Sequence, residues 1–109
     1  MSDFLMVFTA AEDEQKGKAL LRSAVQAKLA GSGQVIGPVF SAYWHLGEYG
    51  DGAEYKVLLM TTREQYDALE KHLIETHEWD NPEITAVAID RGSAPYLAWL
   101  RDPAAKPGS

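Results

Sequence analysis

The chain has 109 residues, of which 46 % are hydrophobic and 24 % are charged, a composition typical of a folded globular domain. Sixteen acidic residues outnumber ten basic ones and give a formal net charge of −6, which argues against nucleic-acid binding and against docking on an anionic membrane. The absence of cysteine excludes disulfides, thiolate metal ligands and cysteine nucleophiles. The apolar run near the start is too short for a secretory signal or a membrane span, so we expect a cytoplasmic protein.

The first part of the chain predicts a strand followed by a helix. Residues 4–8 form a continuous apolar run, the pattern of a strand that is covered on both faces. Residues 12–30 place apolar side chains four apart and basic side chains elsewhere, which predicts an amphipathic helix. Gly31 and Gly33 follow this segment, and glycine commonly stands just past the end of a helix. We therefore expect the helix to end at these glycines.

Two further strands are predicted in the middle of the chain. Residues 35–44 and 55–62 are rich in β-branched and aromatic side chains, which favour strands. The stretch 45–53 between them contains three glycines and is interpreted as a long hairpin tip. Because Pro38 has no N–H to donate to a strand ladder, we expect a bulge or a sheet edge at that point.

The last part of the chain predicts two helices around a short strand. Residues 63–76 return to helical spacing, and His77 falls at the end of the apolar side of that helix. An Asn-Pro turn follows, and then residues 84–89 form a short apolar strand. Ser93 is a candidate N-cap for a final helix over residues 94–101, because its hydroxyl can accept a backbone N–H there.

The resulting order of elements, βαββαβ plus a terminal helix, predicts an α+β fold of the ferredoxin-like type, an antiparallel sheet with two helices on one face. We expect one domain over residues 1–102 and a flexible tail over residues 103–109. The second and third strands are longer than the others and would leave apolar side chains in water. Pairing with neighbouring copies in a closed ring would cover them, and a hairpin folded back on its own core is the alternative.

Two C-terminal segments carry a family resemblance. Residues 92–100, Gly-Ser-Ala-Pro-Tyr-Leu-Ala-Trp-Leu, are similar to a closing motif Gly-x-x-x-Tyr-Leu-x-Trp-Leu. Residues 77–84, His-Glu-Trp-Asp-Asn-Pro-Glu-Ile, resemble a segment His-Pro-Tyr-Glu-x-Pro-Glu-Ile. Both motifs are those of the CutA family, the divalent-cation tolerance proteins. The resemblance extends over roughly residues 4–101 in the same order of elements and marks a divergent member.

The resemblance implies a ferredoxin-like subunit in a tight homotrimer whose long hairpins pair between subunits. It also implies a link to the tolerance of divalent metal ions, copper among them. The family's trimer is similar to that of the PII signalling proteins, which hold small effectors in clefts between subunits. This chain has Phe8 and Ser32 where the family often has cysteines, and Met60 where a lysine is common. The loss of thiolate removes the ligand best suited to Cu(I).

Three residues around the Asn-Pro turn are candidate metal ligands, namely His77, Asp80 and Glu83. Imidazole and carboxylate groups together could bind Zn(II) or Cu(II). A histidine at the end of an apolar helix face is more often a hydrogen-bonded structural residue. A third interpretation is a cofactor-free enzyme with a small organic substrate in the cleft between subunits, in which His77 is the general base and Asp80 or Glu83 orients it.

Four aromatic residues are candidates for the walls of a binding cleft in the trimer, namely Tyr43, Trp44, Tyr96 and Trp99. Apolar walls are typical of ligand pockets, although core and interface packing is the commoner role of such residues. Together these patterns favour a homotrimeric small-molecule or metal-responsive binding protein over an enzyme. The candidate partners are further copies of the chain and a small molecule, Cu(II) or Zn(II), with no nucleic acid and no membrane.

Overall fold

The computed structural model describes residues 2–102, so Met1 and the tail predicted at 103–109 lie outside the described residues. The order of elements confirms the predicted ferredoxin-like α+β fold with an additional C-terminal helix. In chain order the elements are β1 (Phe4–Ala11), α1 (Glu14–Gln26), β2 (Ser32–His45), β3 (Glu48–Thr62), α2 (Arg63–Thr76), β4 (Thr85–Ala88) and α3 (Ala94–Arg101). None of the helices in residues 2–102 has the length and apolar character needed to cross a bilayer.

The four strands form one antiparallel sheet in the order β2-β3-β1-β4, so β2 and β4 are the edge strands. Helices α1 and α2 pack on one face of this sheet, where Leu5, Val7 and Leu59 are buried against Leu69 and Leu73. Strand β1 was predicted to be covered on both faces, but within one chain the two helices cover only one of them. On the face opposite α1 and α2, its side chains Phe4, Met6 and Phe8 are half-buried.

The predicted end of α1 is wrong by four residues. The helix ends at Gln26 with Ala27 as its C-cap, and Lys28 then adopts a left-handed conformation with φ of 62°. The N–H of Lys28 donates to the carbonyl of Val25, so a lysine occupies the position where glycine was expected. Gly33 lies within β2 instead, where a Cβ atom would collide with the carbonyl oxygen of Leu58.

The predicted hairpin tip at 45–53 is also wrong, because the two strands continue almost to the end of the hairpin. They are joined by the two-residue turn Leu46-Gly47, in which φ is 51° and then 81°. Positive φ at both positions is characteristic of a type I′ turn, which matches the twist of the strands. Gly50 lies inside β3 opposite Tyr43, and a Cβ atom there would lie 2.6 Å from Cε1 of the Tyr43 ring. The glycine therefore makes room for an aromatic ring across the strands.

The expectation of a bulge at Pro38 is confirmed. The pairing of β2 with β3 changes register between Ile36 and Val39, and the Gly37–Pro38 peptide bond is cis. Since β2 is an edge strand, the missing N–H of the proline leaves the pairing with β3 intact on either side of the bulge.

Beyond the bulge, residues 39–54 form a two-stranded ribbon. The pairing of β1 with β3 stops at Tyr55, so this ribbon has no third strand within the subunit. Its aromatic side chains lie in solvent, with Phe40 75 % exposed and Trp44 76 % exposed. The ribbon contributes to an elongated subunit of 46 × 27 × 23 Å. In the subunit the hairpin therefore extends outward and does not fold back on the core.

The predicted C-terminal elements agree closely with the structure. Helix α2 has the predicted bounds, and α3 begins after Ser93, whose Oγ accepts the N–H of Tyr96 at 3.4 Å. Strand β4 is shorter by one residue at each end than the predicted 84–89.

Candidate functional site

His77 makes a hydrogen bond to the edge of β1 beyond the point where β4 ends. The last pair between these strands is Phe8 with Thr85, so β1 continues beyond the end of its neighbour. The carbonyl of Phe4 points to the β4 edge and accepts the N–H of Ile89, and the carbonyl of Ala10 faces the same way because strand residues alternate. Nε2 of His77 lies 2.7 Å from the Ala10 carbonyl oxygen and takes the place of a strand N–H.

The second ring nitrogen of His77 fixes its tautomer. The backbone N–H of Trp79 donates to Nδ1 at 3.1 Å, so Nδ1 is an acceptor and Nε2 carries the proton that it donates to Ala10. The imidazole also stacks against the Trp79 ring with centroids 4.8 Å apart. Both nitrogens are used within the fold, which leaves no free lone pair on the imidazole to bind a metal ion or to accept a substrate proton. This geometry fits the structural alternative for His77.

The structure does not gather the three predicted metal ligands into one cluster. Glu83 accepts a hydrogen bond from Lys56 Nζ at 2.7 Å, while Asp80 is exposed on the turn. In residues 2–102, no three His, Cys, Asp or Glu side chains lie together in a way that could hold a metal ion. Metal binding and general-base catalysis by these residues stay predictions, and the geometry of the subunit does not favour either one.

A pocket of about 110 Å³ lies beside His77, between the start of α1 and the end of α2. Its polar wall centres on Lys16, whose Nζ lies 2.9 Å from Glu12 and 2.8 Å from Glu78. The hydrogen bonds to these two carboxylates, first of all to Glu78, hold the pKa of Lys16 well above its usual value. The hydrogen bond and the positive charge of Lys16 in turn lower the pKa of Glu12. The lining residues are Ala11, Glu12, Lys16, Ala19, Leu20, Thr76, His77 and Glu78.

Sequence reasoning missed the polar residues of this pocket. The spacing of Glu12 and Lys16 is the i, i+4 pattern of a helical ion pair and could have drawn attention to them. The contact of Lys16 with Glu78 joins distant parts of the chain, and no local pattern predicts it.

The four predicted cleft aromatics lie in two separate elements of the subunit. Tyr43 and Trp44 lie on the ribbon, where the Trp44 ring meets Tyr49 edge-on at 6.0 Å. Tyr96 and Trp99 lie on α3 with their rings 5.8 Å apart. The high exposure of Trp44 is incompatible with core packing inside one subunit. A cleft that joins both pairs requires a neighbouring subunit and stays a prediction.

The fold and the ribbon together define a ferredoxin-like α+β protein with an extended hairpin. The family model described as CutA1 divalent ion tolerance protein matches residues 5–103, and the chain belongs to this family. Among curated relatives, the chloroplastic protein CutA 1 of Oryza sativa subsp. japonica is 32 % identical over 98 residues, which cover 90 % of this chain and 55 % of the relative. The chain spans about half the length of the curated plant relatives that it matches.

Solved structures of family members have the same fold. The crystal structure of CutA1 from Oryza sativa superposes with a TM-score of 0.86 at 31 % identity and covers 91 % of each chain. The divalent cation tolerance protein CutA1 from Thermus thermophilus superposes with a TM-score of 0.87 at 26 % identity, covering 91 % of this chain and 96 % of that one. The resemblance found in the C-terminal motifs is thereby confirmed along most of the chain.

Proposed function

We propose that this member of the divalent ion tolerance family is a homotrimeric binding protein that takes a small organic ligand in clefts at the seams between its subunits. The observation that carries the proposal is the ribbon at residues 39–54, which has no third strand and leaves large aromatic side chains in water. A long exposed hairpin of this kind invites pairing with another chain. A closed ring of copies satisfies that demand without open-ended aggregation.

The uncovered sheet face supports the same assembly. Met6 pairs with Met60 and Phe8 with Leu58, and residues opposite each other in an antiparallel pair share a face. Val87 stands opposite Met6 on the other side and is 49 % exposed. Since α1 and α2 cover the opposite face, three sheets that turn these apolar faces toward a common axis would remove them from water.

The choice of a small organic ligand over copper rests on the chemistry of the side chains. A sequence without cysteine offers no thiolate, and both nitrogens of His77 are bonded within the subunit. Rings from the ribbon and from α3, brought together by neighbouring subunits, would instead offer flat apolar walls. We propose a cytoplasmic location from the sequence, although a curated relative carries the word chloroplastic in its name.

Sedimentation equilibrium tests the assembly. Three subunits of 12.0 kDa predict a species of about 36 kDa. We expect Trp44→Ser together with Phe40→Ser to shift the mass toward that of one subunit. Ile74→Ser is the matched control, because Ile74 is also half-exposed but lies on α2, away from the ribbon. A wild-type protein that sediments as a single subunit at micromolar concentration would refute the trimer.

A thermal-shift screen of common metabolites and nucleotides tests the ligand. A molecule bound only by the native trimer stabilises it, so we expect a concentration-dependent rise in Tm with one ligand per subunit and no turnover. Trp99→Ala should reduce this rise while leaving the trimer intact. A screen in which transition-metal ions alone raise Tm would instead favour a metal-responsive protein.

A further inference from the structure

The segment after α2, residues 77–83, makes side-chain contacts with three different elements. His77 bonds to β1 through the carbonyl of Ala10, and Glu78 pairs with Lys16 of α1 at 2.8 Å. Glu83 pairs with Lys56 of β3 at 2.7 Å. This segment contains all three candidate metal ligands, His77, Asp80 and Glu83. In this chain, the side-chain contacts of His77, Glu78 and Glu83 already hold the segment in place.

The donor set of the segment does not fit a divalent transition metal. A metal-bound imidazole must offer a lone pair, but Nδ1 of His77 accepts from Trp79 and Nε2 donates to Ala10. The Glu83 carboxylate already faces the ammonium group of Lys56 at 2.7 Å. A metal ion would have to break each of these contacts before it could bind.

We propose that the ammonium groups of Lys16 and Lys56 are built-in cations that hold the 77–83 segment in place, so that its position does not depend on a bound divalent metal. Lys16 faces the carboxylates of Glu12 and Glu78 at hydrogen-bond distance, with Asp13 at 3.9 Å. Without a cation these carboxylates would repel one another and push Glu78 away from α1. An ammonium with its three donors satisfies more than one carboxylate at once.

Hydrogen–deuterium exchange of the 109-residue protein tests this proposal. We expect exchange in residues 77–83 to be the same with and without a chelator. Lys16→Met should speed exchange in this segment about two- to five-fold, the range for loss of a partly exposed ion pair. Lys18→Met is the matched control, because within residues 2–102 Lys18 pairs only with Glu14, one turn away on the same helix. Faster exchange of wild type in chelator, or equal exchange in the two variants, would overturn the proposal.

Calorimetric titration of the wild type with Cu(II) and Zn(II) supplies a second readout. We expect either no saturable heat at tens of micromolar metal or heat that Glu83→Gln leaves unchanged, since in neither case does Glu83 exchange its lysine partner for a metal ion. Saturable binding that Glu83→Gln abolishes would contradict the proposal. Neither result bears on ligand binding at the subunit seams, so the two proposals succeed or fail separately.

Discussion

The hydrogen bonds of His77 yield a quantitative prediction for His77→Phe. Phenylalanine keeps a flat ring that can stack on Trp79 but has no nitrogen to donate or accept. The substitution therefore removes the bond to the Ala10 carbonyl at 2.7 Å and the bond from the Trp79 N–H at 3.1 Å. Ala10 is 1 % exposed, so water has little access to replace the bond at that end.

The size of the effect follows from counting these bonds. A typical intramolecular hydrogen bond contributes about 0.5–1.5 kcal/mol, so two of them give an expected loss of about 1–3 kcal/mol in the free energy of unfolding. His77→Ala should lose more, because it also removes the ring that contacts Trp79 at 4.8 Å. The Trp79 amide should exchange with solvent faster in both variants.

Guanidinium unfolding at one fixed protein concentration measures the loss, because the stability of the proposed oligomer would depend on concentration. His72→Phe is the control, because Nε2 of His72 makes a 2.7 Å hydrogen bond to the hydroxyl of Ser23 at a partly buried position. Water can replace that bond, so we expect a loss below about 1 kcal/mol. A His77→Phe protein as stable as wild type, or no less stable than His72→Phe, would show that the edge of β1 does not need this imidazole.

Three further predictions concern the core, the sheet and pH. Leu69→Ala, at a position with 0 % exposure, should lose about 2–5 kcal/mol in denaturant unfolding, and a loss below about 1 kcal/mol would contradict the assigned core. Gly33→Ala should lose about 1–3 kcal/mol by the same assay because its Cβ meets the Leu58 carbonyl, and unchanged stability would argue against that close approach. Because Lys16 lowers the pKa of Glu12 from 4.5, the stability this carboxylate contributes is present above pH 4.5 and disappears as pH falls through the lowered pKa. Glu12→Gln should therefore show a weaker loss of stability on acidification, and identical pH profiles of the two proteins would refute the linkage.

The sequence predicted a helix correctly where local residues mark its ends. Helix α2 was predicted at both ends because its apolar spacing is regular, and α3 because Ser93 marks its start. The end of α1 was missed because Lys28 takes a left-handed conformation that its residue type does not announce. Gly50 was interpreted as a turn residue, whereas it is needed inside a strand to admit the Tyr43 ring.

The sequence predicted where His77 lies in the fold, but not which groups His77 and Lys16 contact. Helical spacing placed His77 at the end of the buried side of α2, and a hydrogen-bonded structural role was among the alternatives. Its partner could not be inferred, because the free carbonyl of Ala10 exists only where β4 stops two residues short of it. The role of Lys16 likewise depends on the tertiary contact with Glu78. Such long-range contacts have no signature in a single sequence.

The two proposals concern two parts of the molecule that differ in how far their polar and apolar groups are satisfied within one chain. In the 77–83 segment, Glu78 and Glu83 are paired with lysines and His77 is hydrogen-bonded through both ring nitrogens, so these groups gain little from an added ion. The ribbon lacks a third strand and exposes Trp44, so it gains much from a neighbouring copy. A ligand that touches the ribbon at a seam must then favour assembly, because it binds only where subunits meet. We therefore expect dilution to weaken ligand binding and ligand to oppose dissociation, a reciprocity that a site within one subunit would not produce.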